Sequence, residues 1–191
     1  MVKELIVASG NQGKIKEVQS ILKDYKVISI KEIGKDIDIE EDAKTFEGNA
    51  KKKALEISKI IKGKKILADD SGIEIPYLDG FPGVFTKRWF TGTDRQRNLE
   101  IIKKLEGVEK ENRKVKFISA IAVAEDGKVI TEVSTINGYI TLEPRGTNGF
   151  GFDEIFELED LGKTLAELSD EEKNMISARK KSLEKIKSKI N

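Results

Sequence analysis

The sequence predicts a single α/β domain over residues 1–191, and three observations support this. Patterns typical of strands and helices alternate along the chain, with glycine-containing turns between them. A length of 191 residues is close to that of one ordinary domain. The apolar content of 38% is enough for a core without disulfides, and the chain has no Cys.

The chain opens with a short strand followed by a helix. Residues 2–8 are predicted to be a strand, because Leu5, Ile6 and Val7 form a continuous apolar run, as a strand covered on both faces requires. From Ile15 the apolar residues recur at helical spacing, and this helix ends near Asp24. Residues 9–14 are therefore predicted to be the turn between strand and helix.

A second helix and a second strand follow. The acidic stretch 37–42 has no clear pattern, but residues 45–61 have a helical apolar face that Gly63 ends. Residues 65–68 are then predicted to be a strand, with Asp69-Asp70-Ser71-Gly72 at its carboxyl end.

The middle of the chain predicts a helix and a hairpin. A capping box, Thr93 with Gln96, opens the helix. Its inward face is predicted to be Leu99, Ile102 and Leu105. Alternation over 115–123 and 129–133, around Asp126-Gly127, predicts a β-hairpin.

The last part of the chain predicts a loop and one long helix. The loop, 143–153, is rich in glycine. Capping boxes are present at Thr164 with Glu167 and at Ser169 with Glu172, and the second opens the final helix. Its inward face is predicted to be Ile176, Leu183, Ile186 and Ile190.

Composition excludes several functions. With no His and no Cys, the chain cannot form a Ser-His-Asp triad, a thiolate nucleophile or an ordinary zinc site. Oxygen ligands remain, which favour Mg²⁺ or Mn²⁺. A balance of 35 basic against 34 acidic residues argues against a dedicated nucleic-acid binder. No apolar run suits a signal peptide or a membrane span, so a cytoplasmic protein is expected.

Residues 9–14 are the first candidate site. The N-terminus of the helix that follows offers unpaired N–H groups and a partial positive charge for a phosphate, and Lys14 adds a full charge. Gly10 and Gly13 allow close approach of the backbone. The spacing is not that of a Walker A loop. An ordinary strand-to-helix turn explains the segment equally well.

Asp69 and Asp70 are the second candidate site. Neighbours on an extended strand point to opposite faces, so one of the two can enter a given site. With Glu40 or Glu41 from the acidic stretch, that aspartate is a candidate Mg²⁺ ligand. The alternative is a strand-end turn in which one Asp caps backbone donors.

The third candidate lies near the end of the chain. Residues 149–153, Gly-Phe-Gly-Phe-Asp, offer two aromatic rings and a carboxylate, which suit a purine base. Core aromatics beside a turn are the commoner explanation. Lys173 and Arg179 are either part of a solvated helix surface or contacts for an anionic ligand.

Taken in order, these segments resemble the inosine triphosphate pyrophosphatase family. The matching segments are 8–14, 45–50, 67–72, 81–83, 143–146, 149–153 and 168–179. The resemblance implies Mg-dependent hydrolysis of the non-standard purine nucleotides ITP, dITP and XTP to the monophosphate and pyrophosphate. It also implies an elongated mixed β-sheet core with flanking helices, two lobes with a central cleft, and a homodimer.

The resemblance also implies roles for individual residues. Asp70 is the catalytic residue, and Mg²⁺, with Mn²⁺ as an alternative, is held by Asp70 with Glu41 or its neighbour Glu40. Because an ordinary Asp is a weak base and a nearby cation lowers its pKa further, Asp70 is expected to orient water rather than abstract its proton. The predicted substrate-binding residues are Ser9, Gly10, Asn11, Gln12, Gly13, Lys14, Lys53, Ser71, Phe150, Gly151, Phe152, Asp153, Lys173, Ala178 and Arg179.

Ala178 departs from the family pattern, which has Ser-His-Arg where this chain has Ser177-Ala178-Arg179. Two alternatives therefore stay open, a pyrophosphatase for other altered nucleotides and a nucleotide-binding sensor without catalysis. RNA binding through the basic C-terminal helix is a third, although no stable nucleic-acid or membrane partner is expected.

Overall fold

The computed structural model describes residues 3–34, 37, 39–86 and 88–190 and contains a six-stranded sheet of order β2-β1-β3-β4-β5-β6. The strands are β1 Lys3–Val7, β2 Tyr25–Ser29, β3 Lys65–Glu74, β4 Lys114–Glu125, β5 Lys128–Ile140 and β6 Phe156–Leu158. The α-helices of the described part are α1 Gln12–Ile21, α2 Phe46–Ile60, α3 Asp94–Lys104, α4 Asp170–Ile176 and α5 Ala178–Ile190. This mixed sheet with flanking helices confirms the predicted fold class.

The sheet is parallel on one side. β1 pairs in parallel with β2, where Leu5 faces Val27, and with β3, where Val7 faces Leu67. The predicted strand, turn and helix at the start of the chain are confirmed, except that Val2 lies outside the described residues. β2 was not predicted, since a strand of five residues gives little periodicity to detect.

The other side of the sheet contains the hairpin. β4 and β5 are joined by Asp126 and Gly127, whose φ angles of 47° and 81° are those of a type I′ turn. β5 pairs antiparallel with β6, with Tyr139 opposite Glu157. The predicted hairpin is confirmed, whereas β6 was missed because it has three residues.

Three sequence predictions about strands and helices are wrong. β3 does not end at Ala68 but continues to Glu74, so the aspartate pair lies inside an extended strand. The inward face of α3 is wrong at Leu99, which is 46% exposed, while Ile101 is fully buried. Helix propensity does not show which face meets the core, and here tertiary packing decides it.

The third error is at the C-terminus, where one helix was predicted. Two helices are present, separated at Ser177, and Ile176 is only partly buried. The Ser177 hydroxyl accepts a hydrogen bond from the Lys180 N–H at 3.1 Å, the geometry of an N-cap to the third helical residue. Ser177 therefore restarts the helix.

The chain forms two compact units. The first comprises Met1–Ser71, Ser119–Ser134 and Ser177–Asn191, and the second Gly72–Ile118 and Thr135–Ile176. The core of the first unit is Leu5, Val7, Ile15, Val18, Leu22, Tyr25, Leu67, Ile121, Val123, Leu183, Ile186 and Ile190. In the second unit the rings of Phe117 and Phe156 meet edge to face at 5.8 Å.

Within the described ranges, no helix has the length and apolar character that crossing a bilayer requires.

Candidate active site

The predicted phosphate loop begins α1. Asn11 is the N-cap, with its Oδ1 accepting from the Lys14 N–H at 3.2 Å, and the Ser9 hydroxyl accepts from the Asn11 N–H at 3.1 Å. Gln12 is exposed and Gly13 half-buried. The first N–H groups of a helix have no intrahelical partner, so this end of α1 keeps its attraction for an anion.

The side chain of Lys14 points into a buried charge network in the first unit. The network comprises Lys14, Glu17, Asp69 and Arg179, which are 6%, 8%, 4% and 3% exposed. Lys14 forms an ion pair with Asp69. The Arg179 Nε lies 2.7 Å from Asp69 Oδ2, and another nitrogen of that guanidinium pairs with Glu17. Two cations and two anions therefore balance one another away from water.

Asp69 is ionised by this network. Burial raises the pKa of Asp69, but the charges of Arg179 and Lys14 and their hydrogen bonds hold it well below its ordinary value. Burial likewise lowers the pKa of Arg179, while Asp69 and Glu17 raise it overall. Ser71 completes the set, donating to Asp69 Oδ1 at 2.9 Å and accepting from Arg179 Nη2 at 2.9 Å. Asp69 is thus a structural anion that orients Lys14.

Asp70 has different surroundings. Its Oδ2 accepts a hydrogen bond from Asn49 Nδ2 at 2.9 Å, and Asn49, on α2, is 1% exposed. Burial raises the pKa of Asp70 to about 6; Glu41 and Asp69 add to the increase, and Asn49 and Lys14 oppose it. In the protein without a metal, burial and the neighbouring carboxylates therefore outweigh Asn49 and Lys14, and the lowering of this pKa by a bound cation stays a prediction.

Glu41 and Lys53 lie near Asp70. Lys53, on α2, forms an ion pair with Glu41, and the negative charge of Glu41 acts on Asp70. The side chain of Glu41 is 27% exposed, whereas Glu40 is an exposed residue. Of the two predicted alternatives, the structure therefore favours Glu41. Asp38, from the same acidic stretch, lies outside the described residues.

The predicted base-binding loop, 149–153, lies in the second unit. Asp153 Oδ2 accepts from the Phe150 N–H at 2.8 Å and from Lys173 Nζ at 2.6 Å. Lys173 Nζ also lies 4.6 Å from the centre of the Phe150 ring, a cation–π distance. The structure thus brings Phe150, Asp153 and Lys173 together, beside a pocket of about 280 Å³.

Other predicted residues are buried. Phe152 is 3% exposed, so its ring supports the loop from the core and Phe150 carries the accessible aromatic face. Ala178 is 1% exposed and, like Arg179, belongs to α5 in the first unit. The Arg179 guanidinium is occupied by Asp69, Glu17 and Ser71, which is not the base contact that the resemblance implies.

Sequence reasoning missed two contributors to the first unit's site. Glu17 follows Lys14 by one helical turn, between the buried residues Ile15 and Val18, and a carboxylate on a buried helix face signals an ion pair. Asn49 lies within a motif that was recognised, but its bond to Asp70 joins residues on α2 and β3 and has no sequence signal.

A family model settles the relationship. The model of the Ham1 family matches residues 5–189. The chain belongs to the Ham1 family. A dITP/XTP pyrophosphatase of Bacillus licheniformis is 46% identical, over 97% of this chain and 96% of its own. A relative of the same name from Bacillus subtilis is 44% identical, over 97% and 96%.

Solved structures of Ham1 proteins agree with the sheet described above. The Ham1 protein of Staphylococcus aureus superimposes with a TM-score of 0.86 at 36% identity, covering 98% of each chain. Membership of the Ham1 family confirms the resemblance that the sequence motifs indicated, and it applies to both compact units because the match runs through both.

Proposed function

We propose that this chain hydrolyses the non-standard purine nucleotides dITP, XTP and ITP to the nucleoside monophosphate and pyrophosphate, removing them from the nucleotide pool. The observation that carries the proposal is the match, over nearly the full length of both chains, to relatives named dITP/XTP pyrophosphatases. The chemistry of the residues in each unit supports it.

The triphosphate is bound by the residues at the start of α1. The N–H groups at the start of α1 bind phosphate oxygens, and the residues of this turn are Ser9, Gly10, Asn11, Gln12 and Gly13. The same unit contains three further polar residues for the triphosphate, Lys14, Lys53 and Ser71. Lys14 Nζ bonds to both the carboxylate and the backbone carbonyl of Asp69, the latter at 3.3 Å, and these bonds fix the direction of the ammonium group. Asp69 therefore acts as the residue that positions Lys14.

Asp70 and Glu41 are the proposed metal ligands. Burial is the main cause of the raised pKa of Asp70, and the negative charge of Glu41 adds to it. A divalent cation would relieve both the burial of the Asp70 charge and its repulsion by Glu41. No cluster of three or more acidic side chains able to hold a metal occurs among the described residues. Two carboxylates suit Mg²⁺, or Mn²⁺ as an alternative, which takes its other ligands from water and phosphates. When bound, the ion neutralises charge on the triphosphate.

The bond that breaks joins the α-phosphorus to the oxygen bridging it to the β-phosphorus. A water oxygen forms the new bond to phosphorus and releases a proton to solvent, and pyrophosphate leaves with the electrons of the old bond. Asp70 accepts a hydrogen bond from that water and orients it. In the protein without metal the pKa of Asp70 is raised to about 6, so its carboxyl is ionised at neutral pH and can accept this hydrogen bond.

The loop 149–153 recognises the base. Phe150 offers a ring for stacking, and Asp153 and Lys173 fix the loop around it. Because Ala178 replaces the family His, discrimination depends on polar groups of the loop 149–153, and a mismatched buried polar group costs about 1–3 kcal/mol. Within this proposal the chain acts as one domain, as a homodimer and in the cytoplasm.

The proposal is tested by measuring initial rates of pyrophosphate release from dITP, XTP, dGTP and dATP, with Mg²⁺ and with a chelator. We expect rapid release from dITP and XTP, slower release from dGTP and dATP, and none with the chelator. Equal rates on all four nucleotides would contradict base selectivity. Binding of dITP without release would favour a nucleotide sensor.

A further inference from the structure

Helix α3 holds Gly151 of the base-binding loop by both of its backbone polar groups. The Gly151 N–H donates to Asp94 Oδ2 at 2.8 Å, and the Gly151 carbonyl accepts from Asn98 Nδ2 at 2.8 Å. Asp94 and Asn98 are one turn apart on the same helix, so one rigid element fixes the position of this residue.

The loop needs such a restraint because of its glycines. Gly149 and Gly151 have φ angles of 78° and 66°, a region where glycine is favoured, and glycine gives an unfastened loop a wide range of conformations. At the other end of the loop, Asp153 closes back on the Phe150 N–H. The position of Phe150 therefore depends on bonds from outside the loop, and α3 supplies two of them.

Asn98 is built for this contact. It is 0% exposed, and its Nδ2 also donates to Glu154 Oε1 at 2.9 Å. The Gly151 carbonyl and Glu154 Oε1 are both acceptors, so the amide of Asn98 is favoured with its nitrogen, and not its oxygen, facing them. Asn98 therefore links the loop at Gly151 to Glu154 through one buried amide nitrogen.

We propose that Asp94 and Asn98 are positioning residues that set the base selectivity of this enzyme by holding Gly151. Neither residue was among the predicted substrate contacts. They act through the loop, because displacement of Gly151 moves Phe150 and changes where the backbone meets the base. This inference rests on the proposed function, in which the loop 149–153 reads the base.

The test compares kcat and KM for dITP and dGTP in four variants. Asp94→Ala removes the acceptor for the Gly151 N–H. Asn98→Asp replaces the amide donor by a carboxylate that faces two acceptors, the Gly151 carbonyl and Glu154 Oε1. Asp94→Asn keeps an acceptor while losing the charge and the ion pair to Arg97, which lies at 2.9 Å. Gln96→Ala removes the capping box of α3 without touching Gly151, which separates helix stability from positioning of the loop.

We expect Asp94→Ala and Asn98→Asp to lower the ratio of kcat/KM for dITP over dGTP by about tenfold, the size of one lost hydrogen bond. The change should be mainly in KM for dITP. Asp94→Asn and Gln96→Ala should keep the wild-type ratio. If Asn98→Asp does not fold, the comparison of Asp94→Ala with Asp94→Asn decides, because Asp94 lies at the exposed start of the helix.

Unchanged selectivity in Asp94→Ala, an equal loss in Gln96→Ala, or a fall in kcat that is the same for both nucleotides would overturn the inference while the proposed function stands. A wild-type chain that hydrolyses no nucleotide would overturn the proposed function and this inference together.

Discussion

Asp69 and Asp70 are neighbours on β3, yet their carboxylates have opposite surroundings. Asp69 is stabilised as an anion by two buried cations, whereas Asp70 is partly buried near other carboxylates and its charge is disfavoured. An extended strand separates the two side chains onto opposite faces, which explains how adjacent residues differ so much. Asp69 is structural, and Asp70 is the residue proposed to act in catalysis.

The first prediction concerns turnover by Asp70→Asn. Asparagine keeps the shape and the bond to Asn49 but loses the charge that holds a cation and orients water. Pyrophosphate release from dITP should fall by about a hundredfold or more. Asp160→Asn, which neutralises an exposed carboxylate of the second unit, is the matched control and should keep wild-type turnover. Near-normal hydrolysis by folded Asp70→Asn would refute the assignment.

The second prediction concerns the stability of Asp70→Asn without metal. The folded pKa of about 6 exceeds the ordinary value of 3.8, so ionisation of Asp70 costs the folded state free energy above pH 6. In chelator, the variant should therefore be more stable than wild type by roughly 2–3 kcal/mol at about pH 8. The difference should shrink between pH 6 and pH 3.8, and urea unfolding across this range measures it. A variant less stable than wild type at pH 8 would contradict it.

The third prediction is that Asp69→Asn lowers the stability of the protein, whereas Asp70→Asn raises it. Loss of this anion leaves Lys14 and Arg179 buried without it, so unfolding free energy should fall by about 3–5 kcal/mol near neutral pH. Because the folded pKa of Asp69 is depressed, its contribution is present above about pH 4 and is lost as pH falls below that value. Urea unfolding across the same range of pH should show that the difference in unfolding free energy between Asp69→Asn and wild type becomes smaller only in acid. A gap that stays constant from pH 8 to strongly acidic conditions would show that charge is not its cause.

The break between α4 and α5 determines where Arg179 lies. Ser177 caps α5, and Arg179 is the second residue of that helix, so the cap fixes the direction from which the guanidinium enters the network. Neither Pro nor Gly marks the break, which is why one helix was predicted from the sequence.

The fourth prediction follows from this cap. Ser177→Ala should lower the free energy of unfolding by about 1 kcal/mol, since Lys180 N–H loses its acceptor. Ser177→Thr retains the hydroxyl and should lose much less. Thermal unfolding of both variants makes the comparison, and equal stability of Ser177→Ala and wild type would show that the hydroxyl is not a cap.

Elements with strong local signals were predicted well. The hairpin has a turn sequence that suits positive φ at two successive residues, and α3 has its capping box. β2 and β6 were missed because five and three residues carry too little pattern. Leu99 shows a different kind of error: helix α3 was predicted correctly, but Leu99 was assigned to its buried face and is exposed.

For the molecule as a whole, motifs located the chemical groups but not their partners. Lys14, Asp70 and residues 149–153 were singled out from residue type and local context. The bond from Arg179 to Asp69 joins residues 110 apart and depends on how α5 packs against the rest of the first unit. Burial and pairing of this kind also set the pKa of each aspartate, so electrostatics followed from the fold and not from the sequence.

The bond broken in the proposed reaction distinguishes it from that of an ordinary nucleoside triphosphatase. The decisive measurement follows wild-type protein with dITP and Mg²⁺ by phosphorus NMR until the substrate is consumed. The account predicts dIMP and pyrophosphate in equal amounts, with no dIDP at any time. Formation of dIDP with orthophosphate, or no consumption of dITP, would contradict it.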